Sequence, residues 1–572
     1  MADSSIKYTA FSIVFFFSIT IFLQLGKNEI QPWDEGLYAY RAKSVLEHNA
    51  WWDQTEYSIG GLRSSAQAPL TIWAIAEAMK FFEPETALRL FSAFCGSLSL
   101  LLIFLIARRL LNEDLSLLII IGLAITLAWN KYSRQGMTDI PVVTFALVSF
   151  YSLLRIMETR KLLSSILFGL LFALSFAAAL MSKILVSFLP LLFVFVFVFG
   201  RYKSEKKIIV ITAVILGLFL ALPWHLYMIT TYGAEFYRAF FVPHIYSAVE
   251  ANTQSLGFTY YLNQLIISNP FFIFAIVLLA NGIFGFKRLL ELIHSQIARY
   301  IFIVSYVWFA ATLLVFSIAT TKLPHYAVYM IIPGLILATF MFEHFKEILR
   351  SKRTAWLVFS LLVIAVFWGI NDGLRQETKL LLSLQSVSFD SLLLVLIIFG
   401  LFLIGILYDR EKLGRITNKI LPQVSYVFII ILVARLILLN IFVDDSIRGA
   451  ESVSNILEKE KYNTFVYLFH EYNVSDSLNP QLAWYTEGWN IGRREGKKCI
   501  NIPMPRTLFN LKAIVRSDSA KDALLVYYIP NNQMLAKADI YEISLRRRIL
   551  MIRKNYIIFD VYHKPKIIEK SV

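Results

Sequence analysis

Cysteine is nearly absent: 572 residues hold two, Cys95 in an apolar run and Cys499 in a polar stretch, so an internal disulfide is not expected and no paired-cysteine metal site can form. Charge is scarce as well, at 17% Asp, Glu, Lys and Arg. The chain has no Gly-x-x-x-x-Gly-Lys-Ser/Thr phosphate loop and no His-Glu-x-x-His helix, which leaves ATP hydrolysis and a recognisable zinc-protease site unsupported. Repeats and low-complexity tracts are also missing.

Apolar sequence is what the chain has in quantity. Hydrophobic residues make up 57% of it and the mean hydropathy is +0.61, values typical of polytopic membrane proteins. Crossing about 30 Å of hydrocarbon takes roughly 17–22 apolar residues. Runs of that length fall near 8–25, 89–107, 115–131, 140–157, 164–181, 184–200, 208–226, 266–286, 300–318, 326–345, 355–370, 389–408 and 420–441, about thirteen spans in all. The first run lacks a small-x-small pattern before Lys27 and reads as a retained span rather than a signal peptide.

The net charge of +15 would suggest nucleic acid in a soluble protein. Here the basic residues gather in alternate short loops, including Arg108-Arg109, Arg201 to Lys207 and Lys346 to Arg353, as the positive-inside rule requires. No nucleic-acid partner is expected. The opposite loops, 26–88, 132–139, 182–183, 227–265, 319–325 and 371–388, then face away from the cytoplasm together with residues 442–572. That last region carries a helical pattern at Glu451 to Lys461 and β-like runs at 464–469, 524–529 and 556–561, which predicts a small extracytoplasmic α/β domain. Segments 36–48 and 69–82 are short and amphipathic or apolar, suited to lying in the membrane interface.

Candidate chemistry concentrates in the outer loops. Asp34-Glu35, flanked by Trp33 and Tyr38, opens the first of them. Asp139 ends a second loop, Ser133 to Asp139, where an N-cap for the following span is the bland reading and is compatible with catalysis. Lys183 and Lys322 stand at outer ends of spans, where snorkelling to headgroups competes with ligand binding. Lys322, His325 and Tyr326 put a cation, an imidazole and a phenol into one short turn, suited to gripping a phosphate, and Arg89 and Arg134 could join them.

These residues carry a resemblance. Trp33 to Tyr38, Ala68-Pro69-Leu70 to Trp73, Arg134 to Asp139, Ser182-Lys183, Pro223-Trp224 and Thr321 to Tyr326 resemble, in order, motifs of the GT-C glycosyltransferases of the aminoarabinose (lipid A) transferase and protein O-mannosyltransferase type. The resemblance implies a transmembrane catalytic domain over 1–441, roofed by loops 26–88 and 227–265, and an extracytoplasmic domain over 442–572. It also implies inverting transfer of one sugar from a polyprenyl-phosphate donor, such as an undecaprenyl phosphate, to a glycolipid or other cell-envelope glycan. The site would face the extracytoplasmic side of the membrane, in a bacterium the periplasmic side of the inner membrane. Asp34 would be the general base, Asp139 the second carboxylate, with Glu35 beside them orienting acceptor or sugar. Lys183, Lys322, His325 and Tyr326 would hold the phosphate. The physical logic agrees, because an inverting displacement needs one carboxylate to take the acceptor proton while a phosphate leaving group needs cations.

Two departures stand out. Where the aminoarabinose branch commonly carries an acidic-basic pair before two prolines, this chain has Ala66-Gln67-Ala68-Pro69. A basic residue often found after His244 is replaced by Ser247, Ala248 and Val249, with Arg238 as the alternative. No cofactor is assigned, and a divalent metal ion stays open. The rival readings are a protein O-mannosyltransferase-like enzyme, a ligase that moves a whole oligosaccharide from a pyrophosphate lipid, and a transporter or lipid flippase, although transporters place ionisable sites near the bilayer midplane.

Overall fold

The computed structural model describes residues 2–348, apart from 32–33, 60, 184, 201–202, 241–256, 270, 320–321 and 345–347, together with 453, 455, 464–469, 480–485, 498–503, 524–528, 549–553 and 556–559. In chain order the helices are α1 (Ala2–Phe22), α2 (Asp34–His48), α3 (Leu62–Ser65), α4 (Leu70–Met79), α5 (Pro84–Ala107), α6 (Glu113–Ala124), α7 (Leu127–Ser133), α8 (Asp139–Glu158) and α9 (Leu162–Leu180). They continue as α10 (Leu189–Val198), α11 (Ser204–Tyr232), α12 (Ala234–Phe240), α13 (Tyr260–Ser268), α14 (Phe272–Glu291), α15 (Gln296–Ile318), α16 (Val328–Glu343) and α17 (Pro480–Tyr485).

Among the described residues six helices are long and apolar enough to cross a membrane, or eight if each of two bent pairs is one span. The run expected as a continuous span at 115–131 is one of the bent pairs, α6 and α7, which meet at 62°. Its break leaves backbone acceptors exposed, and polar side chains satisfy them. Thr126 Oγ1 donates to the Gly122 carbonyl at 2.6 Å, and Asn269 Nδ2 reaches the same carbonyl and Thr126 Oγ1 at 3.1 Å each. The spans expected at 355–370, 389–408 and 420–441, and most of the helical pattern at 451–461, lie outside the described residues.

The chain divides into two compact units. The larger comprises residues 1–23, 92–134 and 138–440. In it α8 and α16 are buried along nearly their whole length, whereas α9 and α11 leave Leu163, Leu167, Ile215 and Phe219 exposed. Such large apolar side chains are stable outward only against lipid or another protein. The same two helices pack closely, and a Cβ at Gly217 would stand 3.0 Å from the Ala173 carbonyl, so only a small residue fits that crossing.

The second unit joins residues 24–91, 135–137 and 441–572. Its helical core is Ile30, Tyr38, Ala39, Ala42, Val45, Ile72, Ile75, Ala76 and Leu88, with Trp484 and Tyr485 of α17 packed against it. Its sheet has five strands, β1 (Thr464–Phe469), β2 (Lys498–Pro503), β3 (Leu524–Tyr528), β4 (Ile549–Arg553) and β5 (Tyr556–Phe559), in the order β2-β1-β3-β5-β4. β1 pairs parallel with β2 and β3, and β5 runs antiparallel to β3 and β4. Three of these strands coincide with the β-like runs of the sequence.

Candidate active site

In the larger unit the chemistry centres on Asp139, the first residue of α8. The N-cap position belongs to Thr138, whose side chain makes no capping bond, so the capping role foreseen for Asp139 is not what its carboxylate does. Its Oδ1 accepts from Lys183 Nζ and from Tyr329 Oη, each at 2.7 Å. Oδ2 is buried and has no hydrogen-bond partner among the described residues. A buried carboxylate oxygen left without a donor costs free energy and is uncommon except where a ligand or water completes it.

Around this carboxylate the larger unit assembles one lysine and a cluster of rings. Lys183 Nζ lies 5.3 Å from the centroid of the Tyr326 ring, inside cation–π range. His325 meets Tyr326 and Tyr132 edge-on, with centroids 4.7 and 6.0 Å apart. Phe316 stacks on both Tyr326 and Tyr329. Three of the residues expected at a phosphate, Lys183, His325 and Tyr326, are therefore brought together with Asp139. Tyr329 escaped the sequence reading because it sits in an apolar helical run. The signal was its i, i+3 spacing from Tyr326, which places both on one helix face.

Two other expected phosphate ligands have their donors turned to helix ends. Lys322 Nζ donates to the carbonyls of Ser317 at 2.8 Å and Ala319 at 2.6 Å, capping the C-terminus of α15, where a cation is favourable. Burial pulls its pKa down from the ordinary lysine value. Arg134 Nη1 donates to the last-turn carbonyls of Thr20 and Ile21 in α1.

In the second unit Asp34 is the first residue of α2, partly buried, where the helix dipole favours its anion. The neighbouring Glu35 is only 2% exposed and paired with an equally buried Arg89. All five N–H donors of a guanidinium are used here. Nε and Nη2 hold the two Glu35 oxygens at 3.0 and 2.9 Å, and the remaining donors meet the carbonyls of Leu25, Asn28 and Glu29. Glu35 accepts two further bonds, from the Gln31 amide at 2.8 Å and the Gly136 amide at 2.7 Å. Burial opposes ionisation of Glu35, yet the Arg89 charge and these four donors outweigh it and hold the carboxyl below its ordinary range. Gly136 is small by necessity, since a Cβ there would stand 2.7 Å from the Leu88 carbonyl.

Tyr38, one turn after Asp34, donates to Gln67 Oε1 at 2.9 Å. Gln67, the residue that departs from the acidic-basic pattern, also receives Arg41 Nη2 on its carbonyl at 2.8 Å. Arg41 is fully buried without an ion pair among the described residues, and burial lowers its pKa to about 10. His244 lies outside the described residues. Among the described residues no group of three or more His, Cys, Asp or Glu side chains gathers as metal ligands.

Comparison with known proteins decides the architecture. The chain superposes on the crystal structure of ArnT from Cupriavidus metallidurans bound to undecaprenyl phosphate with a TM-score of 0.57, covering 97% of each chain at 16% identity. The fold is that of the GT-C glycosyltransferases. The apo structure of the same ArnT matches alike, with a TM-score of 0.58 over 98% of each chain. Residues 66–227 match a family described as dolichyl-phosphate-mannose-protein mannosyltransferase. An uncharacterized protein of Aquifex aeolicus (strain VF5) is 24% identical over 377 residues, 64% of this chain and 71% of its own length. The stretch matched by that family contains Arg89, Arg134, Asp139 and Lys183 and stops before the turn at Lys322.

Proposed function

We propose that the protein is an integral-membrane glycosyltransferase that moves one sugar from a polyprenyl-phosphate donor to an acceptor hydroxyl, with inversion, on the extracytoplasmic face of a bacterial inner membrane. The observation that carries this reading is Asp139: a buried carboxylate with one oxygen held by Lys183 and Tyr329 and the other open, beside His325 and Tyr326. A fold shared with an ArnT that binds undecaprenyl phosphate supports the donor class. In this scheme Asp34 takes the acceptor proton as the bond from the acceptor oxygen to the anomeric carbon forms. The bond from that carbon to the phosphate oxygen breaks, and its electron pair leaves with the lipid phosphate. Lys183, His325 and Tyr326 stabilise that developing charge, and Asp139 orients the sugar through its open oxygen.

Glu35 and Arg89 take a different part from the one their sequence positions suggest. With its four acceptor positions occupied, Glu35 has no lone pair to offer a substrate, and Arg89 has no N–H left for a phosphate. Both are assigned to holding the loop that leads into Asp34. Residues 1–441 would form the catalytic domain and 442–572 an extracytoplasmic domain.

The test is transfer by purified protein in native lipid extract, offered a panel of undecaprenyl- and dolichyl-phosphate sugars and scored by product mass, for wild type beside Asp34→Asn. A one-sugar gain that falls by about 10²–10⁴ in the variant, as expected for loss of a general base, supports the reading. An undiminished gain removes Asp34 as base. A product on a protein hydroxyl would favour the mannosyltransferase-like alternative, which the family description supports. Substrate flux across the membrane that survives Asp34→Ala, without any transfer product, would replace the enzyme by a transporter.

A further inference from the structure

Tyr485 closes α17, more than four hundred residues after the carboxylate assigned above as base, yet both belong to one compact unit. Its phenol oxygen accepts the Ile30 amide at 2.9 Å and donates to Glu85 Oε1 at 2.8 Å. Burial and the neighbouring Glu85 carboxylate push the phenol well above the ordinary tyrosine range, so it stays protonated and serves as acceptor and donor at once. Ile30 lies in the short loop 25–31, several of whose other polar groups are bound by neighbouring side chains. Arg89 takes the carbonyls of Leu25, Asn28 and Glu29, and Glu35 takes the Gln31 amide. Glu85 stands one turn before Arg89 on α5.

Trp484 extends the contact onto α2 itself. Its ring meets Tyr40 edge-on with centroids 6.3 Å apart, and Lys43 Nζ lies 5.6 Å from its centroid. Both aromatic residues pack on the cluster of Ile30, Tyr38, Ala39 and Leu88. Segment 480–485 thus touches the loop before Asp34 and the helix that Asp34 begins.

We infer that Tyr485 is a positioning residue for Asp34: by tying Ile30 to Glu85 it adds to the bonds that hold loop 25–31 and so helps to fix the start of α2. The inference rests on the reading of Asp34 as base. It makes the C-terminal segment part of the catalytic loop's scaffold, rather than a separate substrate module. Tyr485→Phe keeps the ring and removes the hydroxyl. Two hydrogen bonds are lost, for which kcat should fall about tenfold with KM for the donor unchanged.

The experiment pairs that kinetic split with hydrogen exchange of residues 27–40 in the full-length protein in lipid nanodiscs, a readout that needs no activity. Supporting results are exchange at Ile30 faster by about tenfold or more in Tyr485→Phe, with kcat reduced and KM kept. Unchanged exchange at 27–40 overturns the inference, as does faster exchange with unchanged kcat, which would leave Tyr485 a purely structural contact. Trp484→Ala, which removes packing but keeps the phenol, should speed exchange along α2 more than at Ile30; equal effects at both places would also overturn it. If wild type transfers no sugar at all, the proposed function fails, while exchange at Ile30 still decides whether Tyr485 orders the loop.

Discussion

Among the described residues Glu35 and Asp139 are both buried carboxylates paired with a cation, and the two pairs are built differently. Glu35–Arg89 is closed: every donor and acceptor of both side chains is matched within the second unit. Asp139–Lys183, in the larger unit, is open: the carboxylate keeps one buried oxygen unmatched and its lysine is 17% exposed. Removing charges from water is tolerable when partners replace all the lost hydration. A complete set of partners makes a rigid joint, and an incomplete set leaves a place where a substrate hydroxyl can bind. The contrast separates scaffold from chemistry without appeal to sequence neighbours, since Glu35 adjoins the proposed base and still belongs to the scaffold.

Substitutions can break this contrast. The largest effect is expected from Arg89→Ala, which strands a buried carboxylate and three backbone carbonyls. Loss of one partner of a buried pair costs about 3–5 kcal/mol, read as a collapse of thermal stability in detergent and poor recovery of folded protein. Lys183→Met should cost less stability, because its charge is partly solvated, and should act on function instead. Transfer is expected to fall by about 10²–10³ through loss of charge stabilisation at the leaving phosphate. Equal destabilisation by the two substitutions would erase the distinction between closed and open pairs.

The pH dependence sharpens the same point. The carboxyl of Glu35 is held below its ordinary value of 4.5 in the folded protein. A group with a depressed folded pKa adds stability that is complete above the unfolded value and lost as pH falls through the folded one. Stability should therefore decline as pH drops below about 4.5, and Glu35→Gln should flatten that decline while lowering stability at neutral pH. A decline as steep in Glu35→Gln as in wild type would assign it to other carboxylates. The smallest effect is expected from Tyr329→Phe, which removes one bond to Asp139. About 1 kcal/mol should appear as a several-fold loss of transfer with little change in melting temperature, and a loss as large as that of Lys183→Met would mark Tyr329 as a direct ligand of the substrate.

Much of the helical layout could be read from the chain. Long apolar runs announce spans because lipid leaves no other partner for backbone polar groups, and α5, α8, α9, α11, α15 and the helix ending at Glu343 fall where such runs lie. The break between α6 and α7 was invisible, since Thr126 is an ordinary residue until Asn269 arrives from elsewhere to satisfy the opened turn. Of the candidate site, Asp139, Lys183, His325 and Tyr326 were named from their loops and do meet. Arg89, Arg134 and Lys322 stand on equal grounds in the sequence, yet Arg89 binds Glu35 and three backbone carbonyls, Arg134 Nη1 meets two carbonyls of α1, and Lys322 Nζ meets carbonyls at the end of α15. A basic side chain near a helix end looks the same in sequence whether it faces a phosphate or a carbonyl.

The sequence by itself determined where most of the chain's long apolar helices lie, three of the five strands of the C-terminal region and which ionisable residues stand between the spans. These follow from local composition, and local composition is one-dimensional. Tertiary structure alone decided that Glu35 is closed and Asp139 open, that Tyr329 bonds Asp139, and that Tyr485 bonds the loop before Asp34. Each of these depends on how many donors and acceptors converge on one atom. That number is set by residues tens to hundreds of positions apart, which only folding brings together.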